Sequence, residues 1–574
     1  MATIRKSFIY SLLLTLNFIT VSAFAQKESY IQSLNKQNHW VDSVFKKLNR
    51  RQKVAQLFFV RAHTNLGLTY EDSVANVIKN EQVGGLVFFQ GGPVRQAQLI
   101  NRYQKISRVP LIIAQDGEWG LGMRLDSTIS YPYQMTLGAI QDNTLIYKMG
   151  QMVAYDFKRM GMQMNFGPDM DINNNPDNPV IGYRSFGDNK YNVAAKGIAY
   201  FTGMQSEGLL TTAKHFPGHG DTNVDSHFDL PLLPFSRERL DTLEEYPFRE
   251  AIKAGISGIM IAHMDIPSLD STKHLPSTLS RKIVTGILKD SLGFKGLVVS
   301  DAMEMRGVVK YFPNGEADVR AFLAGNDILE LSPNSELAIK KIRRAIRKDE
   351  ITQAEFDTKV KKVLAAKYWA GLNNYHETPI NNLVAELNRP AAKELVSQLS
   401  DAAITLLKGN AASLQLNPII KTAIISIGGM QPTVFQQDLT HWYVNSRIFM
   451  ISKNESASDV KNLLTVLKNY GQVYISIHDT RIRPQSKLDY NVYVKQLITE
   501  LASRRNTVIS VFANAYAIAG LPGIEKAGAL MVAYQNSDYL QHSAVKVITQ
   551  RLKPSGKLSV SINEYFKNGA GISL

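Results

Sequence analysis

Leu209-Leu210-Thr211-Thr212-Ala213-Lys214-His215-Phe216-Pro217-Gly218-His219-Gly220-Asp221-Thr222-Asn223-Val224-Asp225-Ser226-His227 is the stretch from which the chain can be read. Its first five residues form a short, mostly apolar run, which predicts a buried strand at Leu209–Ala213. Lys214 and His215 follow at the carboxyl end of that strand. Pro217, Gly218 and Gly220 then rule out a helix and predict a loop. A buried strand that delivers charged side chains into a loop is one unit of a parallel sheet with a site at its carboxyl edge.

Seven further runs repeat the unit. They are Val54–Val60, Gly85–Phe89, Leu111–Ala114, Gln163–Phe166, Gly258–Ala262, Gly296–Ser300 and Asp327–Leu331. Helical patterns such as Asn143–Met160 and Phe248–Ala254 lie between most of them. Eight strand–helix repeats over about 340 residues predict an α/β fold with an N-terminal (β/α)8, TIM-like barrel. Asp116, Asp169, Asp171, Lys214, His215, His263 and Asp301 all follow the carboxyl ends of these runs. One such residue is ordinarily a turn or helix cap. Several, after five strands, predict a common mouth.

The pattern changes beyond the helical stretch Ile351–Leu372. Tyr375–Ile380 reads as linker. Runs at Thr422–Ile427, Val473–Ile477, Thr507–Phe512 and Ala529–Ala533 predict a smaller open α/β sandwich with no comparable cluster of acids and histidines. The expected division is a targeting segment at 1–25, a catalytic barrel at 30–375, a linker at 376–387 and a second domain at 388–574.

The targeting segment is read from Arg5 and Lys6, the apolar stretch Phe8–Val21, and Ala23-Phe24-Ala25, which fits signal peptidase with cleavage after Ala25. The apolar stretch is shorter than the roughly 20 residues a membrane span needs. A periplasmic or secreted protein, with no integral span after signal removal, is therefore expected. The formal charge of +15, or +13 without Arg5 and Lys6, is compatible with an anionic neighbour such as a cell-wall polymer. No run of five Lys/Arg and no basic patch interleaved with aromatics points to nucleic acid. With no cysteine, the chain has no disulfide, thiol chemistry or lipid-anchor cysteine.

Within the opening stretch, Asp225 and His227 are two residues apart, close enough for the carboxylate to hold one imidazole nitrogen. That pairing fixes the tautomer and raises the basicity required of a general acid/base. A metal site and a structural loop are the other readings. No HExxH or similar ligand spacing is present, and neither alternative accounts for Lys214 beside the histidines. No metal and no cofactor are expected. A second stretch, Gly293-Phe294-Lys295-Gly296-Leu297-Val298-Val299-Ser300-Asp301-Ala302-Met303-Glu304-Met305, ends a strand in a carboxylate at the mouth. A carboxylate there can attack an anomeric carbon and form a glycosyl-enzyme.

These two stretches resemble glycoside hydrolase family 3, and within it the β-N-acetylglucosaminidase branch, whose signature is the Lys-His-Phe-Pro-Gly-His-Gly-Asp-Thr…Asp-Ser-His run. The likeness extends from about Gln52 to Asn563, including Leu279–Arg281 and Gly556–Leu558. The resemblance implies Asp301 as nucleophile and His227 as acid/base with Asp225 as its partner. It implies Lys214, His215 and Arg184 as sugar-binding groups, with Asp116 and Arg124 on the far side of the ring. One stretch departs from the family pattern Asp-x-Glu-Gly-Gly-Arg: here it is Asp116-Gly117-Glu118-Trp119-Gly120-Leu121-Gly122-Met123-Arg124. Trp119 is read either as a stacking platform or as loop packing, and Asp169 and Asp171 as structural acids that position Arg184. The expected function is a retaining exo-β-N-acetylglucosaminidase acting on terminal β-linked N-acetylglucosamine of peptidoglycan fragments, chitin oligomers or glycans. Another exo-β-glycosidase, a phosphorylase and a non-enzymatic wall-binding protein are the rivals.

Overall fold

The computed structural model describes residues 28–226 and 228–574. The expected signal segment and His227 lie outside the described residues. Eight parallel strands form the first sheet: β1 (Phe58–Ala62), β2 (Gly85–Phe88), β3 (Ile112–Gln115), β4 (Met164–Asn165), β5 (Leu210–Phe216), β6 (Gly258–Ile261), β7 (Leu297–Ser300) and β8 (Leu329–Glu330). Their order is β7-β6-β5-β4-β3-β2-β1-β8. A bridge between Val299 and Ile328 links β7 to β8 and closes the barrel. Helices connect the strands and cover the outside, so most strand residues are buried on both faces and read as continuous apolar runs.

Two barrel strands differ from the sequence expectation by more than two residues at one end. The first strand starts at Phe58 because Asn49 and Gln52 form a capping box that draws Val54 and Ala55 into the helix Arg50–Ala55. The fifth continues through Lys214 and His215 to Phe216, with an irregular register against β6 between Ala213 and Phe216. Lys214 and His215 therefore lie within β5 rather than after it.

The second sheet contains β9 (Thr405–Lys408), β10 (Thr422–Ile427), β11 (Ser446–Ile451), β12 (Gln472–His478), β13 (Thr507–Phe512) and β14 (Ala529–Val532). Its order is β11-β10-β12-β13-β14-β9, and only β9 runs antiparallel. The four central strands coincide with the apolar runs. The two edge strands were not expected. β9 is only four residues long, and β11 carries Arg447 among half-buried positions, so neither has the apolar signature of a central strand.

The second sheet's unit braces the barrel mouth. Gln535 Oε1 accepts hydrogen bonds from the Tyr133 N–H (2.6 Å) and the Thr136 hydroxyl (2.9 Å). The Tyr516 hydroxyl donates to the Asn173 carbonyl (2.8 Å), and Lys487 pairs with Asp177 (2.8 Å). These contacts fall on the loops after β3 and β4. Among the described residues, no helix is long and apolar enough to cross a membrane.

Candidate active site

The carboxyl ends of β3, β4 and β5 bring a lattice of opposite charges together. Lys214 Nζ lies 2.8 Å from both Asp116 Oδ1 and Glu118 Oε1. Arg124 reaches the other Asp116 oxygen at 2.5 Å. Arg184 holds Glu118 in a fork, through Nη2 at 2.7 Å and Nε at 3.0 Å. Its Nη2 also lies 3.4 Å from His215 Nε2. The structure thus brings Asp116, Arg124, Arg184, Lys214 and His215 into one network.

Charges buried this deeply persist only when paired. Burial works against the charge on Asp116, yet Lys214 and Arg124 outweigh it and hold the carboxyl well below its ordinary range. Glu118 is likewise buried and is held low by Arg184 and Lys214. In return, Asp116 and Glu118 keep Lys214 fully cationic despite its burial. The lattice is ionised throughout and offers fixed donors and acceptors to a polyhydroxyl ligand.

Glu118 was not among the residues singled out from sequence, although it carries half of the lattice. The available signal was its spacing: two acids two residues apart, with a glycine between them, after a strand. Trp119 is 9% exposed and packs edge-on against Tyr133, with ring centres 4.7 Å apart, and near Tyr183 at 6.0 Å. It serves loop packing.

Asp169 and Asp171 divide their work. Asp171 Oδ2 lies 2.7 Å from His215 Nδ1, and its carboxylate also accepts the backbone N–H groups of His215 (3.2 Å) and His219 (2.7 Å). It therefore fixes the His215 ring. Burial opposes its ionisation, but His215 and these donors hold its carboxyl low. Asp169 approaches Arg184 only to 3.7 Å. Burial and the neighbouring Asp171 push the Asp169 carboxyl well above its ordinary range. Asp169, Asp171 and His215 each present one ligand atom within 4.8 Å of the others, the one arrangement among the described residues with the donors for a metal ion. With His215 already hydrogen-bonded to Asp171, the trio reads as an orienting relay.

The loop after β5 is held from beneath. A Cβ on Gly220 would sit 1.7 Å from the Ile172 carbonyl oxygen, so only glycine allows the loop to lie against the strand-4 loop. Asn178 Nδ2 donates to the carbonyls of His219 (2.8 Å) and Gly220 (3.0 Å). His219 is fully buried between the Thr222 hydroxyl (2.9 Å from Nδ1) and the Ser226 hydroxyl (3.2 Å from Nε2). Burial depresses its pKa to about 4, which keeps the ring neutral. The Asp225 carbonyl accepts N–H groups of Phe228 (2.9 Å) and Asp229 (3.2 Å). His227 itself lies outside the described residues.

Asp301 stands directly after β7. Its N–H donates to the Ile261 carbonyl at 3.0 Å, and Oδ1 accepts the Ala302 N–H at 2.7 Å. Behind it, buried His263 bridges the Thr278 hydroxyl (2.7 Å) and the Ala302 carbonyl (3.1 Å). His263 is thus a brace for the Asp301 loop.

A parallel barrel whose carboxyl mouth holds acids, lysine and arginine in one charged network presents an arrangement that can bind a polar ligand. Residues 50–366 match the glycosyl hydrolase family 3 N-terminal domain, more than half of the 574 residues, and the chain belongs to that family. Beta-hexosaminidase A of Pseudoalteromonas piscicida is 30% identical over 374 residues, which cover 60% of this chain and 62% of that protein. A beta-N-acetylglucosaminidase/beta-glucosidase of Cellulomonas fimi is 27% identical over 377 residues, covering 64% and 66% respectively. The chain thus spans slightly less than two thirds of the length of either relative. A solved family 3 beta-N-acetylglucosaminidase from Paenibacillus sp. str. FPU-7 shares the fold with a TM-score of 0.76 at 29% identity, covering 90% of this chain and 99% of that one.

Proposed function

We propose that the protein is a retaining exo-β-N-acetylglucosaminidase. The observation that carries this reading is the placement of Asp301 at the end of β7, in the same barrel mouth as the Asp116–Lys214–Glu118–Arg184 lattice. The lattice supplies charge-assisted hydrogen bonds to sugar hydroxyls from opposite sides. Asp301 is the nucleophile: its carboxylate attacks the anomeric carbon, the aglycone oxygen departs, and a glycosyl-enzyme forms. His227 protonates the departing oxygen and then takes a proton from the attacking water, with Asp225 holding its ring. Relatives named for β-hexosaminidase and β-N-acetylglucosaminidase activity support the sugar specificity. The substrate class is terminal β-N-acetylglucosamine on peptidoglycan fragments, chitin oligomers or glycans. The division of labour we propose is a catalytic barrel at 30–375, a connector at 376–387 and a bracing unit at 388–574, exported after cleavage behind Ala25.

The test is release of 4-nitrophenol from a panel of aryl β-glycosides, with and without inorganic phosphate. The N-acetylglucosaminide is expected to be cleaved at least tenfold faster than the glucoside, with free N-acetylglucosamine as product. Preference for the glucoside overturns the sugar assignment. A sugar 1-phosphate as the main product makes the enzyme a phosphorylase, a reading open to a histidine acid/base because it adds no negative charge to repel phosphate.

A further inference from the structure

Glu330, the last residue of β8, is a carboxyl group at the mouth that the mechanism above does not use. Its backbone is satisfied: the N–H donates to the Ser300 hydroxyl (3.0 Å), and the carbonyl accepts the Met303 N–H (2.9 Å). Its side chain is different. The residue is 4% exposed, and Oε2 is buried with no hydrogen-bond partner. The charged groups that face it come from four other strands: Asp116 after β3, Asp301 after β7, Lys214 in β5 and Arg61 in β1. Strands β1 and β7 flank β8, through the pairs Phe59–Glu330 and Val299–Ile328. Surrounded in this way, the carboxyl lies on the inner wall of the barrel, beneath the proposed sugar.

A buried polar atom without a partner needs a reason, because folding ordinarily satisfies such atoms. The two cations near Glu330 are already committed: Lys214 to Asp116 and Glu118, and Arg61 to Glu304. Burial first, then the carboxylates of Asp116 and Asp301, push the Glu330 carboxyl well above its ordinary range. That shift favours the protonated acid, which carries an O–H donor, over the carboxylate. Arg61 and Lys214 oppose that shift without reversing it. A second anion here would also repel the electrons that Asp301 directs at the anomeric carbon. A neutral acid avoids that conflict and adds a donor to a mouth already rich in carboxylate acceptors.

We infer that Glu330 is a substrate-binding residue whose carboxylic O–H donates a hydrogen bond to an oxygen of the sugar bound above Asp301. The inference rests on the proposed glycosidase function and adds a donor from the β8 side of the mouth. Nothing is transferred: the proton stays on Glu330 while the sugar is bound.

The experiment compares wild type with Glu330→Gln and Glu330→Leu by calorimetric titration with N-acetylglucosamine and by kcat/KM on its aryl glycoside. Glutamine is close in shape, uncharged and still a donor; leucine removes the donor. Glu330→Gln is expected to stay within about threefold of wild type at neutral pH, and Glu330→Leu to lose about tenfold in both affinity and kcat/KM, the scale of one lost hydrogen bond. Wild-type affinity should weaken as pH rises through the Glu330 pKa, whereas that of Glu330→Gln should persist to higher pH. Equal affinity of Glu330→Leu and wild type overturns the inference, as does a Glu330→Gln variant tenfold weaker at neutral pH, or superimposable pH profiles. If Glu330→Leu does not fold, the glutamine variant and its pH profile decide alone. Failure of wild type to bind N-acetylglucosamine would instead count against the proposed function.

Discussion

The two ends of the barrel both bury charge, and they use it differently. At the amino-terminal end, Asp327 is 1% exposed, pairs with Lys362 (2.6 Å) and Lys289 (3.6 Å), and accepts the Val298 N–H (3.0 Å). Lys359 Nζ donates to the Asn326 carbonyl (2.9 Å), and burial depresses its pKa to about 7. There, charge is tied to strand ends and closes the bottom of the barrel. At the carboxyl end, Asp116 and Glu118 after β3, Arg184 after β4 and Lys214 in β5 pair with one another in a single network. Burial alone does not mark a site. Convergence of charged side chains from several strands into one network does, and the contrast predicts that one end governs stability and the other activity.

The largest effect should come from Asp301→Asn. It should remain folded, with a melting temperature within a few degrees of wild type, and lose about 10⁴-fold or more in kcat, the scale on which removal of a nucleophile acts. Residual activity within tenfold of wild type would leave the mouth without its nucleophile.

His227→Ala comes next. General acid–base assistance is worth about 10²–10⁴-fold, so natural disaccharide cleavage should fall by that amount. The first step on an aryl substrate with a good leaving group should fall much less. Azide needs no base, so it should restore turnover and yield a β-glycosyl azide. Uniform loss on every substrate without azide rescue would reduce His227 to a binding or structural residue.

A paired substitution tests the two ends directly. Asp327→Ala strands buried lysines and should cost about 3–5 kcal/mol of stability, read from denaturant midpoints, while the remaining folded enzyme keeps its kcat/KM. Asp116→Asn keeps an oxygen toward Arg124 and leaves Lys214 paired with Glu118, so stability should fall less than in Asp327→Ala while kcat/KM falls by roughly 10²-fold, the value of a charged hydrogen bond to substrate. If the two variants shift stability and activity in the same ratio, the contrast between the ends fails.

The smallest effect concerns His219. Its folded pKa of about 4 lies below the ordinary histidine value of about 6.5. Between those values the unfolded chain binds the proton and the folded chain does not, so this contribution to stability is complete above about pH 6.5 and is lost as pH falls toward 4. The stability advantage of wild type over His219→Gln should shrink across that window when followed by thermal melts. A constant difference would show that the ring titrates alike in both states.

The contrast also explains what could be read from sequence. All eight barrel strands announced themselves, because strands covered on both faces are continuous apolar runs. The edge strands β9 and β11 did not: β9 is a four-residue strand ending in Lys408, and β11 is half-buried and carries Arg447. Asp116, Lys214, His215 and Asp301 stood out because they sit at strand ends. Glu118 and Glu330 did not. Glu118 reads as an ordinary loop acid until Arg184, 66 residues away in sequence, is folded onto it. Glu330 sits inside an apolar run, where a lone acid suggests only an interrupted strand. His219 looked equivalent to its neighbouring histidines, and only its burial separates a brace from a reacting group.

The central claim is that Asp301 forms a covalent bond to the sugar. Incubating the enzyme with a 5-fluorinated N-acetylglucosaminyl fluoride, which slows formation and breakdown of the intermediate, should add one glycosyl mass to the protein. Peptide mass spectrometry should place it on Asp301, with no label in Asp301→Asn. A label on another residue, or full turnover of the reagent with no label at any time, would contradict it.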